Sequence, residues 1–210
     1  MKRMVFTLAA LMMSVMAFAQ TPEEIVSRME EAMEKHEKEG IVMTMDVKIP
    51  ILGTMSTKTY MLGDSYKSEG GMLGVKIITW SDGKTNWTYD SKSKELVIED
   101  TNLAKPDENK GDTEMFTGVA EGYDVSIKKE TDSAWHILCK KSKDNKEKDD
   151  PKTMDLVVAK GTYYPVSIAA KVSGVSVKIY DVAFGVTQKQ VTFNKSDYPD
   201  AKIVDKRVGK

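Results

Sequence analysis

Two histidines and a single cysteine are the whole supply of their kind in 210 residues. His36 lies in a run of Glu and Lys, and His136 stands between Trp135 and Ile137. Neither has a second His or a Cys at metal-ligand spacing, so no metal site is expected. Cys139 alternates with Trp135 and Ile137, the pattern of a small buried hydrophobe and not of a reactive thiol. A lone cysteine excludes an intrachain disulfide, so the core alone must hold the fold. Asp46 and Asp181 point outward by strand period and make poor catalytic acids. No GxSxG elbow, phosphate loop or HExxH is present. A Ser-His-Asp triad can be scattered along a chain, but two histidines make it a poor reading. No catalytic residue and no cofactor is assigned, and the chain is not expected to be an enzyme.

The most distinctive polar-aromatic stretch is ITWSDGKTNWTYD, Ile78 to Asp90. Asp82-Gly83 is a strong hairpin signal, and it sits between Trp80 and Trp87. The two tryptophans could stiffen the hairpin as a cross-strand pair, line a cavity, or form a sugar-stacking platform beside Asp82, Lys84 and Asn86. These three readings stay open at this level. Asn86-Trp87-Thr88 also matches a glycosylation acceptor, a tripeptide common by chance.

Lys2-Arg3, an apolar run from Met4 to Phe18 and Ala17-Phe18-Ala19 form an export signal, with cleavage expected after Ala19. The run is short for a spanning helix and is followed at once by Thr21-Pro22-Glu23-Glu24. No Cys stands at the junction, so no lipid anchor is expected there. Residues 20–210 fit one domain. With 31 basic and 32 acidic side chains overall, of which the leader removes two basic ones, the balance argues against nucleic acid or an anionic membrane as the main partner.

These residues need elements to position them. Thr21-Pro22-Glu23-Glu24 reads as a capping box with Pro at the first helical position. Ile25, Met29, Ala32, Met33 and His36 recur on one helical face, and Gly40 is the expected stop. Ile41 to Ile49 then alternates almost cleanly, with Ile41, Met43, Met45, Val47 and Ile49 on one side. Further strands are read at 55–61, 65–68, 75–80, 86–89, 95–98, 123–128, 133–139, 153–159, 164–172, 175–184 and, at the end, 190–194, before a polar tail. The stretch 101–122 interrupts this rhythm and suggests a short helix or loop around Met115 and Phe116. Lys140 to Lys152 mixes charges of both signs, as a solvated hairpin loop does. Without a βαβ rhythm a parallel sheet is disfavoured. The expected fold is mainly β (α+β): a curved, incompletely closed antiparallel half-barrel of about ten or eleven strands, covered by the N-terminal helix and a short lid helix.

Methionine is the other compositional feature. Of the fourteen, five lie in the leader, while Met43, Met45, Met55, Met61 and Met72 fall in the first strands and turns. Such flexible side chains suit an irregular apolar ligand, and they also suit an ordinary core.

SDGKTNWTYD, Ser81 to Asp90, resembles the turn-and-strand segment of the periplasmic outer-membrane lipoprotein carriers, the LolA family. VTFNKSDYPDAKIVDKR, Val191 to Arg207, is similar to that family's closing segment, with Val204-Asp205 matching its Val-Asp pair. The resemblance implies a helix-covered half-barrel in the periplasm whose apolar cavity shields lipid or lipoprotein acyl chains. Met29, Met33, Met43, Met45, Val47, Trp87, Tyr89, Met115, Phe116, Val177 and Ile179 would line it. It also implies a monomer working between an inner-membrane lipoprotein-releasing transporter and an outer-membrane acceptor. Relatives on this fold sense envelope stress, so a sensor or assembly protein is the alternative. The family's early-strand lid arginine has no counterpart, since none occurs between Arg28 and Arg207. Lys48, Lys58 and Lys67 stand there instead, without a guanidinium fork.

Overall fold

The computed structural model describes residues 20–101 and 113–208. The expected leader, 1–19, and part of the expected interruption, 102–112, lie outside them. Helix α1, Pro22–Glu34, opens as its sequence dictates. Glu24 N donates to Thr21 Oγ1 at 3.1 Å and Thr21 N to Glu24 Oε2 at 3.3 Å, with Pro22 in the first turn. Ile25, Val26, Met29, Ala32 and Met33 are its buried face. The helix stops well before Gly40, and turns carry the chain on to β1.

The strands are β1 (Ile41–Ile49), β2 (Gly53–Leu62), β3 (Ser65–Met72), β4 (Val75–Ser81), β5 (Thr85–Asp90), β6 (Glu95–Asp100), β7 (Tyr123–Glu130), β8 (Ala134–Lys141), β9 (Thr153–Ala159), β10 (Pro165–Val172), β11 (Val175–Phe184) and β12 (Lys202–Asp205). A 3-10 turn spans Glu114–Phe116, helix α2 is Gln188–Val191, and a second 3-10 turn is Lys195–Asp197. All twelve strands form one open sheet, ordered β12-β6-β5-β4-β3-β2-β1-β11-β10-β9-β8-β7. β1 to β11 pair antiparallel, whereas β12 runs parallel to β6. β7 and β12 are its two edges.

Two readings of the C-terminal region are corrected here. The pattern predicts a strand at 190–194, but the chain turns helical at 188–191. Thr187 N donates to Gln190 Oε1 at 2.8 Å, closing the turn locally, and Val191 points into the core. The polar tail contributes a strand, β12, which satisfies the outer edge of β6. Four residues with two apolar ones give too little periodicity to be read as a strand.

Register shows how the apolar residues are distributed. On the face that α1 covers, here the front, one row runs Met43, Thr59, Ser68, Thr79, Thr88, Val97 across β1 to β6. A second runs Ile168, Ile179, Met45, Thr57, Gly70, Ile77 from β10 to β4. The front face is therefore apolar at β1 and β8–β11 and becomes hydroxyl-rich toward β5. The back face does the opposite: Tyr60, Lys67, Trp80, Trp87, Ile98 is one row, and Lys58, Glu69, Ile78, Tyr89, Leu96 the next.

Each apolar half has its own cover. Ile25, Met29, Met33 and Phe116 pack on Ile41, Met43, Trp135, Ile137, Cys139, Leu156 and Val158 on the front. On the back, Trp80 and Trp87 face one another across the hairpin, and the C-terminal segment lies over them. Phe193 stacks on Trp87 at 5.2 Å, Tyr198 lies 4.5 Å from Tyr89, and both meet Trp80 edge-on at 5.4 Å. Such ring pairs add to plain area burial.

The hairpin turns differ in quality. Asp82 Oδ1 accepts from Lys84 N at 2.9 Å and Thr85 N at 2.7 Å, while Gly83 takes φ 82°. The β3–β4 turn is Leu73-Gly74, at φ 55° and 80°, a conformation that favours Asn-Gly. A leucine there is strained, and it is also solvent-exposed. Leu73→Asn is expected to stabilise the fold by roughly 1 kcal/mol, read as a higher urea midpoint at unchanged slope. A lower midpoint would show that the turn is not strained.

Candidate functional site

Neither cover reaches the front of β2 to β4. A groove of about 340 Å³ lies there. Met55, Met72, Val75 and Ile77 supply its apolar floor, and Thr57, Ser68 and Thr79 its hydroxyl-bearing wall. Ser68 Oγ lies 3.2 Å from Thr59 Oγ1, and Thr79 Oγ1 lies 3.4 Å from Thr88 Oγ1, so hydroxyls satisfy one another across strands. No lining residue is charged.

Gly70 creates part of the space. A Cβ there would stand 2.6 Å from Thr57 Oγ1, and any larger side chain would enter the groove. Glycine inside a strand weakens it and marks a place where something must come close. By register the floor continues sideways, because Thr57 pairs with Met45 and Met55 with Val47. Met45 and Val47 pair in turn with Ile179 and Val177.

A larger groove of about 420 Å³ on the back is lined by Asp46, Lys48, Asp155, Lys171 and Lys178 among others. Its charges keep it wet, so it suits an apolar ligand poorly despite its volume.

α1 is latched on the front face by two tyrosines of the β9–β10 turn. Tyr163 Oη accepts from Gln20 Nε2 at 2.7 Å and from Arg28 Nη1 at 3.0 Å. The Arg28 guanidinium also lies over the Tyr163 ring at 5.3 Å; that ring stacks on Trp135 at 5.5 Å, and Lys160 Nζ sits 5.4 Å from Trp135. Beyond the helix, His36 Nε2 and Tyr164 Oη are 2.6 Å apart, with His36 stacked on Phe184 at 4.1 Å. Arg28, on the helix itself, is thus the arginine that ties the cover to the sheet.

Titration follows these environments. Burial pushes the Cys139 thiol up to about 11, with the Asp155 charge adding to it. The thiol is wholly buried and stays protonated, so it is no nucleophile. Burial raises Glu30 above 4.5 despite hydrogen bonds from the backbone of Val119 and Gly118. Burial works against ionised Glu69 as well, but hydrogen bonds from Lys67 and Lys76 prevail and hold it below 4.5. Among the described residues no group of three metal-ligating side chains occurs.

The side chains expected to line a cavity separate into three groups. Met29, Met33, Met43 and Phe116 are buried in the packed core beneath α1. Met45, Val47, Val177 and Ile179 are half-buried on the front, beside the groove. Met115 is exposed. Trp87 and Tyr89 lie on the opposite face, under Phe193 and Tyr198, because Thr88 is the residue of β5 in the Met43 row. Sequence reasoning does not single out Gly70, Val75, Ile77, Tyr163 or Tyr164 as site residues. The Gly70-Gly71 pair inside a strand is the available signal.

No protein-family model matches the chain, and no curated protein matches it. Solved structures do. One is an uncharacterized conserved protein from Thermus thermophilus, at 17% identity over 88% of this chain and 98% of that one, TM-score 0.47. A second is the Mycobacterium tuberculosis lipoprotein LppX, at 10% identity over 78% and 94%, TM-score 0.46. A third is a LolA superfamily protein from Nitrosomonas europaea, at 11% identity over 85% and 100%, TM-score 0.31. Each is a structural likeness at low sequence identity.

Two expectations concern α1 and its fastening. Tyr163→Phe keeps the ring stack but removes two hydrogen bonds, so stability falls by about 1 kcal/mol and amides of α1 exchange faster by hydrogen–deuterium exchange. Glu30 titrates above its unfolded value, so its stabilising contribution is complete below pH 4.5 and is lost as pH rises through the folded value. Glu30→Gln should flatten that part of the stability–pH curve; an unchanged curve would remove Glu30 from the account.

Proposed function

We propose that the chain is an exported, non-enzymatic periplasmic binding protein that holds an acyl chain of a lipid or lipoprotein in the front-face groove. The observation that carries this reading is an uncharged, largely apolar groove roofed by neither cover, between the front core under α1 and the aromatic cluster on the back. Its volume is near the lower end of ligand pockets, ~300–1,000 Å³, and suits a single acyl chain. Burial contributes about 0.8 kcal/mol per CH₂, while the hydroxyls of Ser68 and Thr79 offer hydrogen bonds to an ester or carboxyl group. In this reading Met45, Val47, Val177 and Ile179 extend the floor. Met29, Met33, Met43 and Phe116 would be reached only if α1 lifts off Tyr163 and Tyr164. If the likeness of Ser81 to Asp90 and Val191 to Arg207 to lipoprotein carriers extends to their role, an inner-membrane transporter is the donor and an outer-membrane acceptor the destination.

A fluorescent long-chain fatty acid, displaced by unlabelled fatty acid, measures the groove. Ile77→Asp places a carboxylate without a partner in the floor and is expected to weaken binding more than about tenfold. Ile77→Val should bind nearly as the parent does. Equal affinity of parent and Ile77→Asp, with both folded by circular dichroism, would falsify the assignment.

A further inference from the structure

Four hairpin turns lie together at one end of the sheet. Lys48 pairs with Thr54 and Ser176, Met72 with Val75, and Ser91 N donates to Lys76 O at 2.9 Å. In sheet order the turns follow as β5–β6, β3–β4, β1–β2 and β10–β11. With strands ~4.8 Å apart, successive turns stand ~10 Å from each other.

The middle two turns carry Ile51, Leu52 and Leu73, which are 105%, 58% and 87% exposed. Ile51 at φ 72° and Leu73 at φ 55° hold the left-handed conformation that turns ordinarily give to Gly or Asn. Folding gains nothing from either choice, since a polar residue or glycine would relieve the strain and the exposure together. Isolated tips of this kind are also too narrow for a stable protein interface, which buries ~800 Å² on each partner. A lipid surface takes up such side chains singly.

Charge identifies the kind of surface. Lys92 and Lys94 stand in the β5–β6 turn, Lys171 precedes the β10–β11 turn, and Lys48 and Lys76 lie just behind the apolar tips; all five are exposed. The turn residues 50–53, 73–74, 91–94 and 173–174 include no Asp or Glu. Neighbouring acids are engaged: Glu69 with Lys67 and Lys76, Glu95 with Lys202, and Asp90 with the backbone N–H groups of Lys92 and Ser93. Farther along, the loop 142–152 carries both signs. A chain with a net charge of −1 thus has one basic, apolar-tipped end.

We propose that this end docks on an anionic phospholipid surface, with Ile51, Leu52 and Leu73 entering the interfacial layer and Lys48, Lys92, Lys94 and Lys171 meeting lipid phosphates. Met72 and Val75, which flank Leu73-Gly74, also line the front groove, so docking brings the groove's mouth to the bilayer. The docking stands whether or not that groove holds an acyl chain.

The test is co-flotation of the full chain with vesicles of phosphatidylethanolamine and phosphatidylglycerol, against vesicles of phosphatidylcholine alone. The parent is expected to float with the anionic vesicles. Leu73→Asn combined with Ile51→Gly should lose about tenfold in affinity per apolar side chain removed, and K92Q with K94Q about fivefold per lysine. Both turn substitutions relieve strain, so a loss cannot be put down to unfolding. Absent binding, unaltered binding in the turn variant, or equal binding to phosphatidylcholine overturns the proposal. A parent that sediments as a dimer and a turn variant that is monomeric also overturns it, by giving the tips to a second copy. The turn variant should keep fatty-acid binding and Ile77→Asp should keep vesicle binding, so docking and acyl binding fail separately.

Discussion

A single open sheet that is apolar on its front at one end and on its back at the other cannot be buried by one layer. It needs two covers on opposite sides, and the remaining architecture follows from that demand. α1 and the 3-10 turn with Phe116 cover the front over β7–β11. α2 lies against β2 and β3, and Phe193 and Tyr198 cover the back over β4 and β5. The changeover falls at β2 and β3, where the front row passes from Met43 to Thr59 and Ser68. The front of this strand pair is roofed by neither cover, and the groove forms there.

The same demand explains where polar contacts concentrate. A helix lying on a sheet buries one stripe and leaves its ends to be held by side chains. Tyr163 and Tyr164 do this from one turn, through Gln20 and Arg28 on one side and His36 on the other. Their rings share in the core while their hydroxyls reach its rim, which a tyrosine does at low entropic cost. The cover is therefore fastened by a few directional bonds over a broad apolar contact.

Much of this is legible in the residue pattern. β1, β9 and β11 have the boundaries their alternation indicates, and Thr21-Pro22-Glu23-Glu24 caps α1 as written. These segments are locally consistent, so propensity, period and capping agree. α2 and β12 escape such a reading because each is four residues long, below the length at which a period exists. The candidate site is half legible. Period alone puts Met43, Met45 and Val47 on one side of β1 and Trp87 and Tyr89 on one side of β5. It does not say whether those sides are the same, which depends on pairings across five strands. A shift of one residue at any of them would reverse the outcome.

The C-terminal cover has a consequence for how the protein comes into being. Trp80 and Trp87 are made early, but the rings that enclose them, Phe193 and Tyr198, come more than a hundred residues later, and β1 must wait for β11. A chain emerging from its N-terminus cannot close either half until nearly all of it is present. Its aromatic hairpin stays uncovered through that interval. The late placement of Phe193 and Tyr198 thus leaves closure of the back half to the end of synthesis.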